Sequence, residues 1–184
     1  ALLAYMDYHR AVKSEYELAM MRVASEIAVA GHMAAERAFR DGGSEFDIHM
    51  AYLQVSGQTE LEIPYGNIVA LNEHGATLHY QFQDRTVPSP IHSLLIDAGG
   101  NRGGYASDIT RTYAFDPKSV FAQLITSMQA HQDHIIALIQ SGKSYAHLHE
   151  AMHQSLAGVL ARAEIVHCSE DEASARSCAS SRRR

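Results

Sequence analysis

The 184-residue chain is long enough for one domain with its own core, or for a large piece of a bigger protein. Hydrophobic residues make up 46% and charged residues 20%, proportions that exclude a disordered or membrane-embedded class. The net charge of −6 argues against a nucleic-acid partner, because phosphate binding requires a basic face. No apolar run approaches the roughly 20 residues of a membrane span, and the first residues lack the pattern of a signal peptide. We therefore expect a cytoplasmic protein without a membrane partner.

Two helix-start signals lie in the first part of the chain. The stretch "SEYE" places Ser14 and Glu17 in a capping box, which predicts a helix that continues until "DGG" at 41–43. A second signal, "SEFD" at 44–47, predicts a shorter helix. The polar stretch at 56–66 is typical of a loop.

The hydrophobic period changes to that of strands in the middle of the chain. Short strands are predicted at 68–70 and 77–80, and longer ones in "SLLID" at 93–97 and "YASDITRTYAF" at 105–115. Four glycines separate the last two segments. Their spacing indicates a hairpin in an antiparallel sheet.

Two helices are predicted at 118–140 and 144–163, with Ser144 as the N-cap of the second. The order helix, helix, strands, helix, helix is that of an α+β fold with an antiparallel sheet. From Ala173 the sequence has no periodicity and ends in three arginines. We interpret 1–172 as one structural unit and 173–184 as a disordered tail.

The hairpin carries two aspartates, Asp97 and Asp108. Two carboxylates that face one another repel and are costly to desolvate, so a neutralising partner is expected. If the hairpin is centred between Arg102 and Gly103, the two residues lie directly opposite, with Cβ atoms about 4.5 to 5.5 Å apart. That geometry suits a divalent cation.

The same spacing has an alternative interpretation. Asp97 could end its strand as a turn former, while Asp108 pairs with Arg111 or faces solvent. Spacing does not decide between the two hypotheses, because a bulge in the glycine-rich turn would change the face on which each side chain lies.

Longer motifs favour the metal hypothesis. The stretches "SEFDIHMAYL", "YGNIVALNEHGATLHY" and "LLIDAGGNRGGYASDITRTYAF" together resemble the pita-bread metallopeptidases, and within them the bacterial Xaa-Pro dipeptidases (prolidases), including organophosphorus acid anhydrolases. The resemblance covers roughly residues 1–172. It implies the first half of a pita-bread (creatinase/aminopeptidase-like) fold, in which helices pack on an antiparallel sheet.

The resemblance also implies a site and a substrate. Asp97 and Asp108 match the family's first two metal-binding carboxylates, with Asp108 bridging two divalent ions, commonly manganese. His79 matches a catalytic histidine that contacts the scissile region of the substrate, and Tyr65 a tyrosine at the edge of the substrate pocket. The implied substrate is an Xaa-Pro dipeptide. Homodimer formation stays open.

The sequence departs from the family after the hairpin. The family's other ligands, a histidine in an H-G-x-G-H motif and two glutamates, have no counterpart here. The stretch "HEAMH" at 149–153 resembles a zinc helix only weakly, and we interpret it as a polar stripe. We expect a chain that begins where the catalytic domain begins and stops near its midpoint, through truncation, a frame shift or a cloning boundary. With two of five ligands it should bind cations weakly and have no useful turnover.

A non-catalytic hypothesis belongs beside the enzymatic one. Some pita-bread proteins have lost their metals and serve as binding modules, and an isolated half exposes an apolar sheet face that favours association. The joint presence of Asp97, Asp108 and His79 favours an enzymatic origin, because a binding module does not need them.

Overall fold

A computed structural model describes residues 2–166. These residues divide into two compact units, 2–115 and 116–166. The first contains α1 (Leu2–Ala11), α2 (Glu15–Arg40), α3 (Glu45–Ser56), β1 (Ile68–Leu71), β2 (Ser93–Ala98), β3 (Asn101–Arg102), β4 (Tyr105–Ala106) and β5 (Ile109–Ala114). The described part of the second contains α4 (Val120–Ala137) and α5 (Tyr145–Arg162). Within residues 2–166, no helix has the length and apolar character to cross a membrane.

The predicted capping box of α2 is present, and the second helix-start signal, at α3, also forms one. The Ser14 hydroxyl accepts a hydrogen bond from the Glu17 amide, and a Glu17 carboxylate oxygen accepts one from the Ser14 amide. Ser44 and Asp47 make the same reciprocal pair at the start of α3. These bonds satisfy amides that the first helical turn cannot pair internally. The helix starts are therefore set locally, as the sequence indicates.

The sheet of the first unit has the order β1-β2-β5, with both pairs antiparallel. Helices α2 and α3 contact each other, and they pack against β2 and β1, respectively. The core between helices and sheet is formed by fully buried side chains, each of which contributes roughly 1.5 to 3 kcal/mol by removal from water. These include Phe39, Ile48, Tyr52, Val69, Leu94 and Ile96.

The predicted strand at 77–80 is wrong. Residues Asn72–Ala76 form a 3₁₀ helix, and a turn at 77–79 follows. The backbones of Asn72 and His79 are left-handed, with φ of 50° and 55°, and a strand cannot include such residues because it needs φ near −120° to −140°. Residues 2–11, which showed no helical signal in the sequence, form α1.

The predicted strand at 105–115 is interrupted. Ser107 and Asp108 lie between β4 and β5 and belong to neither strand. The Ser107 hydroxyl instead accepts a hydrogen bond from the Gly100 amide and donates one to the Ala24 carbonyl, at 3.0 Å each. This buried side chain therefore joins the hairpin to α2.

The second unit has the two predicted helices, and Ser144 is the N-cap of α5. Its hydroxyl accepts a hydrogen bond from the His147 amide at 3.2 Å. The His131 Nδ1 and the Ser155 hydroxyl, 2.8 Å apart, connect α4 with α5. The predicted tail at 173–184 lies outside the described residues.

Candidate metal centre

The turn of the hairpin fixes where the two aspartates lie. Arg102 pairs with Tyr105, so the two-residue turn is formed by Gly103 and Gly104, whose φ values are 61° and 85°. Turns of this kind need positive φ at both central positions. A turn centred between Arg102 and Gly103 would place an arginine in that conformation, which is costly for a residue with a side chain.

The predicted direct opposition of Asp97 and Asp108 is therefore wrong by two residues. Asp97 pairs with Thr110 in β5 and with Ile68 in β1. A shift of two residues keeps a side chain on the same face, because side chains alternate with a period of two. Asp108 therefore remains diagonal to Asp97 on one face.

The hydroxyl of Tyr65 brings the two carboxylates together. It lies 2.8 Å from Asp97 Oδ1 and 2.9 Å from Asp108 Oδ1. Tyr65 and Asp97 are half-buried, whereas Asp108 is exposed. The alternative salt bridge of Asp108 with Arg111 is absent among the described residues, and Arg111 Nη1 donates to the Thr110 carbonyl at 2.8 Å.

The cluster of Tyr65, Asp97 and Asp108 has more hydrogen-bond acceptors than protons to donate. Burial raises the pKa of Tyr65, and the hydrogen bonds to Asp97 and Asp108 raise it further, so the phenol keeps its proton. A hydroxyl has only one proton to donate, and here it faces two acidic side chains. The excess of acceptors and negative charge makes the cluster suited to a cation.

The donor chemistry fits a divalent ion in part. Carboxylate oxygens are the ligands that magnesium, calcium and manganese prefer. Within residues 2–166, however, no group of three or more His, Cys, Asp or Glu side chains is arranged to hold a metal. The described residues supply two donors, and a complete centre needs more.

His79 is not in contact with the carboxylates. It is exposed in the turn that precedes Tyr80, and it forms no hydrogen bond with Asp97 or Asp108. Two residues later, Gln81 Nε2 donates to the carbonyl of Gly66 at 3.0 Å. This bond attaches the His79 turn to the segment that carries Tyr65.

The "HEAMH" histidines lie on α5. His149 and His153 have their Nε2 atoms 3.0 Å apart, a geometry in which one ring donates a hydrogen bond to the other. This pairing fits a polar stripe.

Two buried polar residues beside the site have no signal in the sequence. Asn67, which follows the "PYG" motif, is 1% exposed, and its side-chain amide has no partner among the described residues. Glu45 is also 1% exposed. Its position in the first turn of a helix is common for an acidic residue, so the sequence does not distinguish it from a helix-stabilising charge.

Comparison with known proteins identifies the family. Residues 19–169 match the model of metallopeptidase family M24. The chain belongs to that family. It is 53% identical over 165 residues to an Xaa-Pro dipeptidase of Shewanella woodyi, covering 90% of this chain and 37% of the relative. It is 54% identical over 160 residues to an Xaa-Pro dipeptidase of Xanthomonas campestris pv. campestris, covering 87% and 36%.

Solved structures confirm the fold of this M24 chain. It matches zinc-substituted E. coli aminopeptidase P in complex with product, with a TM-score of 0.80 and 25% identity over 90% of this chain and 38% of that one. The same enzyme with the inhibitor Pro-Leu matches with a TM-score of 0.81 and the same identity and coverage. The predicted α+β pita-bread fold is therefore confirmed. The chain spans little more than a third of the length of these proteins.

Proposed function

We propose that this chain forms part of the metal-binding site of an Xaa-Pro dipeptidase, a hydrolase for dipeptides that end in proline. The observation that supports the proposal is the convergence of Asp97 and Asp108 on the Tyr65 hydroxyl. The names of the relatives that are 53% and 54% identical give the reaction and the substrate class.

In this proposal Asp97 and Asp108 hold two divalent ions, with manganese as the preferred metal. Such ions, when bound, activate a water molecule and polarise the carbonyl that is attacked. Asp97 lies in β2, and Asp108 lies between Ser107 and the first residue of β5. The sheet holds the backbone of Asp97, and the Ser107 hydroxyl bonds to Gly100 and Ala24 hold the chain next to Asp108, so the two carboxylates are positioned before any ion binds.

Tyr65 and His79 have separate roles in the proposal. Because the pKa of Tyr65 is raised, its hydroxyl remains a donor that holds the carboxylates on one side of the site. The exposed His79 ring is accessible to a substrate, where it can donate a hydrogen bond to the oxygen on which negative charge develops. Imidazole suits this task because its ring N–H is a hydrogen-bond donor.

The missing donors set a limit on what these 184 residues do alone. Two carboxylates with one neutral hydroxyl make an open, low-coordination site. We infer a roughly millimolar affinity for Mn²⁺, as in the weaker oxygen-ligand sites, and no turnover without the further ligands.

The first test is a Mn²⁺ titration of the 184-residue chain, in which the electron paramagnetic resonance signal of the free ion measures how much Mn²⁺ is bound. Asp97→Asn and Asp108→Asn should each weaken binding by about tenfold or more, because each removes a charged ligand. Asp7→Asn is the matched control, since Asp7 lies on exposed α1 and, in the part of the chain that the structure describes, forms its salt bridge with Arg10. Equal binding by the wild type and both site variants would contradict the metal site and favour a non-catalytic binding module.

The second test is hydrolysis of an Xaa-Pro dipeptide with Mn²⁺ present. The complete reading frame should encode a dipeptidase that Asp108→Asn inactivates, whereas the 184-residue chain should not turn over. Hydrolysis by the 184 residues that Asp108→Asn abolishes would contradict the need for further ligands. A complete protein that binds Mn²⁺ and leaves the dipeptide intact would contradict the proposed substrate.

A further inference from the structure

Glu45 is a buried acidic side chain that accepts hydrogen bonds from four donors. It is the first residue of α3, and 1% of it is exposed. Its Oε1 accepts from the Leu71 amide at 2.8 Å and from His74 Nδ1 at 2.7 Å. Its Oε2 accepts from the Tyr80 hydroxyl at 2.7 Å and from the Asp84 amide at 2.8 Å. A carboxylate has about four acceptor positions, and here all are used.

These four donors belong to one segment, residues 71–84, which contains no regular strand after Leu71. The segment is attached back to the helix by a fifth bond, from the Phe46 amide to the Asp84 carbonyl at 3.1 Å. Burying a carboxylate is costly unless it is fully hydrogen-bonded. The segment and the charge therefore stabilise each other.

The four bonds flank the strained positions of the backbone. The described residues include four non-glycine residues with positive φ, and three of them, Asn72, His79 and Gln83, lie in this segment. The bonds at 71 and 74 enclose Asn72, those at 74 and 80 enclose His79, and those at 80 and 84 enclose Gln83. Left-handed residues with side chains persist only where the surroundings impose them.

We propose that Glu45 is a positioning residue that holds the 71–84 segment, and with it His79, at the edge of the metal site. The link to the site is short. His79 lies two residues from Gln81, so their Cα atoms are at most about 7.6 Å apart. Gln81 contacts Gly66, next to Tyr65. The role of His79 toward a substrate rests on the proposed function, whereas the ordering of the segment does not.

The charge of Glu45 matters as well as its size. In a glutamine of the same shape, an NH₂ group, which donates hydrogen bonds, would replace one carboxylate oxygen and face two of the four donors. Those two would lose their partner, and two donors that face each other also repel. Tyr80 stacks on His74 with ring centroids 4.6 Å apart, so release of either ring also disturbs the other.

The test is residue-resolved hydrogen exchange of wild type and Glu45→Gln in the 184-residue chain. Exchange of the Leu71 and Asp84 amides should accelerate by about tenfold or more, as expected for loss of bonds to a charged acceptor. Amides in the middle of α2 should keep their rates. Glu36→Gln is the matched control, because Glu36 is a half-exposed helical glutamate whose salt bridge is with Arg40, outside the 71–84 segment. Unchanged exchange at both amides in Glu45→Gln would overturn the proposal.

A second variant decides the outcome if Glu45→Gln does not fold. Tyr80→Phe removes one donor and leaves the carboxylate with three, so it should accelerate exchange at Asp84 while α2 keeps its protection. Exchange at Asp84 that stays at the wild-type rate, or that rises together with α2, would contradict the proposal.

A spectroscopic test separates positioning of His79 from general stabilisation. Bound Mn²⁺ is paramagnetic and should broaden the His79 ring resonances in the wild type. In Glu45→Gln this broadening should fall while the Mn²⁺ affinity stays the same, because Asp97 and Asp108 are unchanged. Equal broadening in both proteins would overturn the proposed role toward His79. If Mn²⁺ does not bind the wild type, the proposed function fails, and hydrogen exchange still decides whether Glu45 orders the segment.

Discussion

The two units of the chain differ in how much of their apolar surface is buried. In the first, side chains from α2, α3 and the sheet meet in a core that contains Phe39, Ile48 and Leu94, all fully buried. In the described part of the second, the buried hydrophobic side chains are the small Ala157 and Val159, while Val120 and Tyr145 are 78% and 83% exposed. The candidate site lies entirely in the unit with the core.

Polar groups show the same difference. The first unit buries Glu45 with four hydrogen-bond donors around its carboxylate, whereas α4 and α5 share a single-donor contact between His131 and Ser155, at a position where His131 is 8% exposed. Close packing and satisfied buried polar groups are what restrict a protein to one rigid arrangement. The comparison therefore indicates why Asp97 and Asp108 can be held in place by the first unit alone.

Truncation of one phenylalanine in each unit should give the largest difference between them. Phe39→Ala removes a ring that is fully buried in the core and should cost about 3 to 5 kcal/mol of the free energy of unfolding. Phe121→Ala, in α4, removes a ring that is 40% exposed and should cost less than about 1.5 kcal/mol. Native-state hydrogen exchange reports the free energy of opening for each unit separately. A cost for Phe121→Ala that equals the cost for Phe39→Ala would contradict the comparison.

The parts of the fold that depend on local signals were predictable from the sequence. The starts of α2, α3 and α5 follow from serines whose partners lie three residues away. The segment after β1 was not predictable in this way. Its course depends on Glu45, which lies 26 residues before Leu71 and 39 before Asp84, and a pattern of neighbouring residues contains no information on such contacts.

The site was predictable in its main feature and not in its details. The common face of Asp97 and Asp108 survived a register error of two residues, because a strand's side chains repeat with that period. The convergence of the two carboxylates on the Tyr65 hydroxyl was not predictable, since it depends on the fold of the loop before β1. The resemblance to the family indicated Tyr65 as a site residue, and geometry was needed to show which atoms it contacts.

The pH dependence of stability should also differ between the units. Burial lowers the pKa of His32 in the first unit, partly offset by the bond of its Nε2 to the Ala98 carbonyl. A lowered histidine pKa means that the unfolded chain binds the proton more readily. The free energy of unfolding should therefore fall as the pH decreases below about 6.5, the ordinary histidine value, toward the lower pKa of the folded state.

Urea unfolding at neutral pH and at about pH 5 measures this effect. In His32→Gln, which retains a donor for Ala98, the decrease should become smaller. Burial also lowers the pKa of His131 in the second unit, but His131 already has the Ser155 hydroxyl beside its ring. His131→Gln should therefore change the pH dependence less than His32→Gln does. The reverse order would show that the core position of His32 does not determine its charge.

The smallest difference should come from two N-cap serines in different surroundings. Ser44 is 2% exposed and shares a reciprocal pair with Asp47, whereas Ser144 is exposed and accepts one bond. Ser44→Ala should cost about 1 to 2 kcal/mol and Ser144→Ala about 0.5 kcal/mol. The Ser44 hydrogen bonds also lower the pKa of Asp47, so in Ser44→Ala that pKa should return toward its ordinary value in an NMR titration. If the two serines cost the same, burial adds nothing to the hydrogen bonds of the cap, and an Asp47 pKa that does not move would show that the Ser44 hydrogen bonds do not set it.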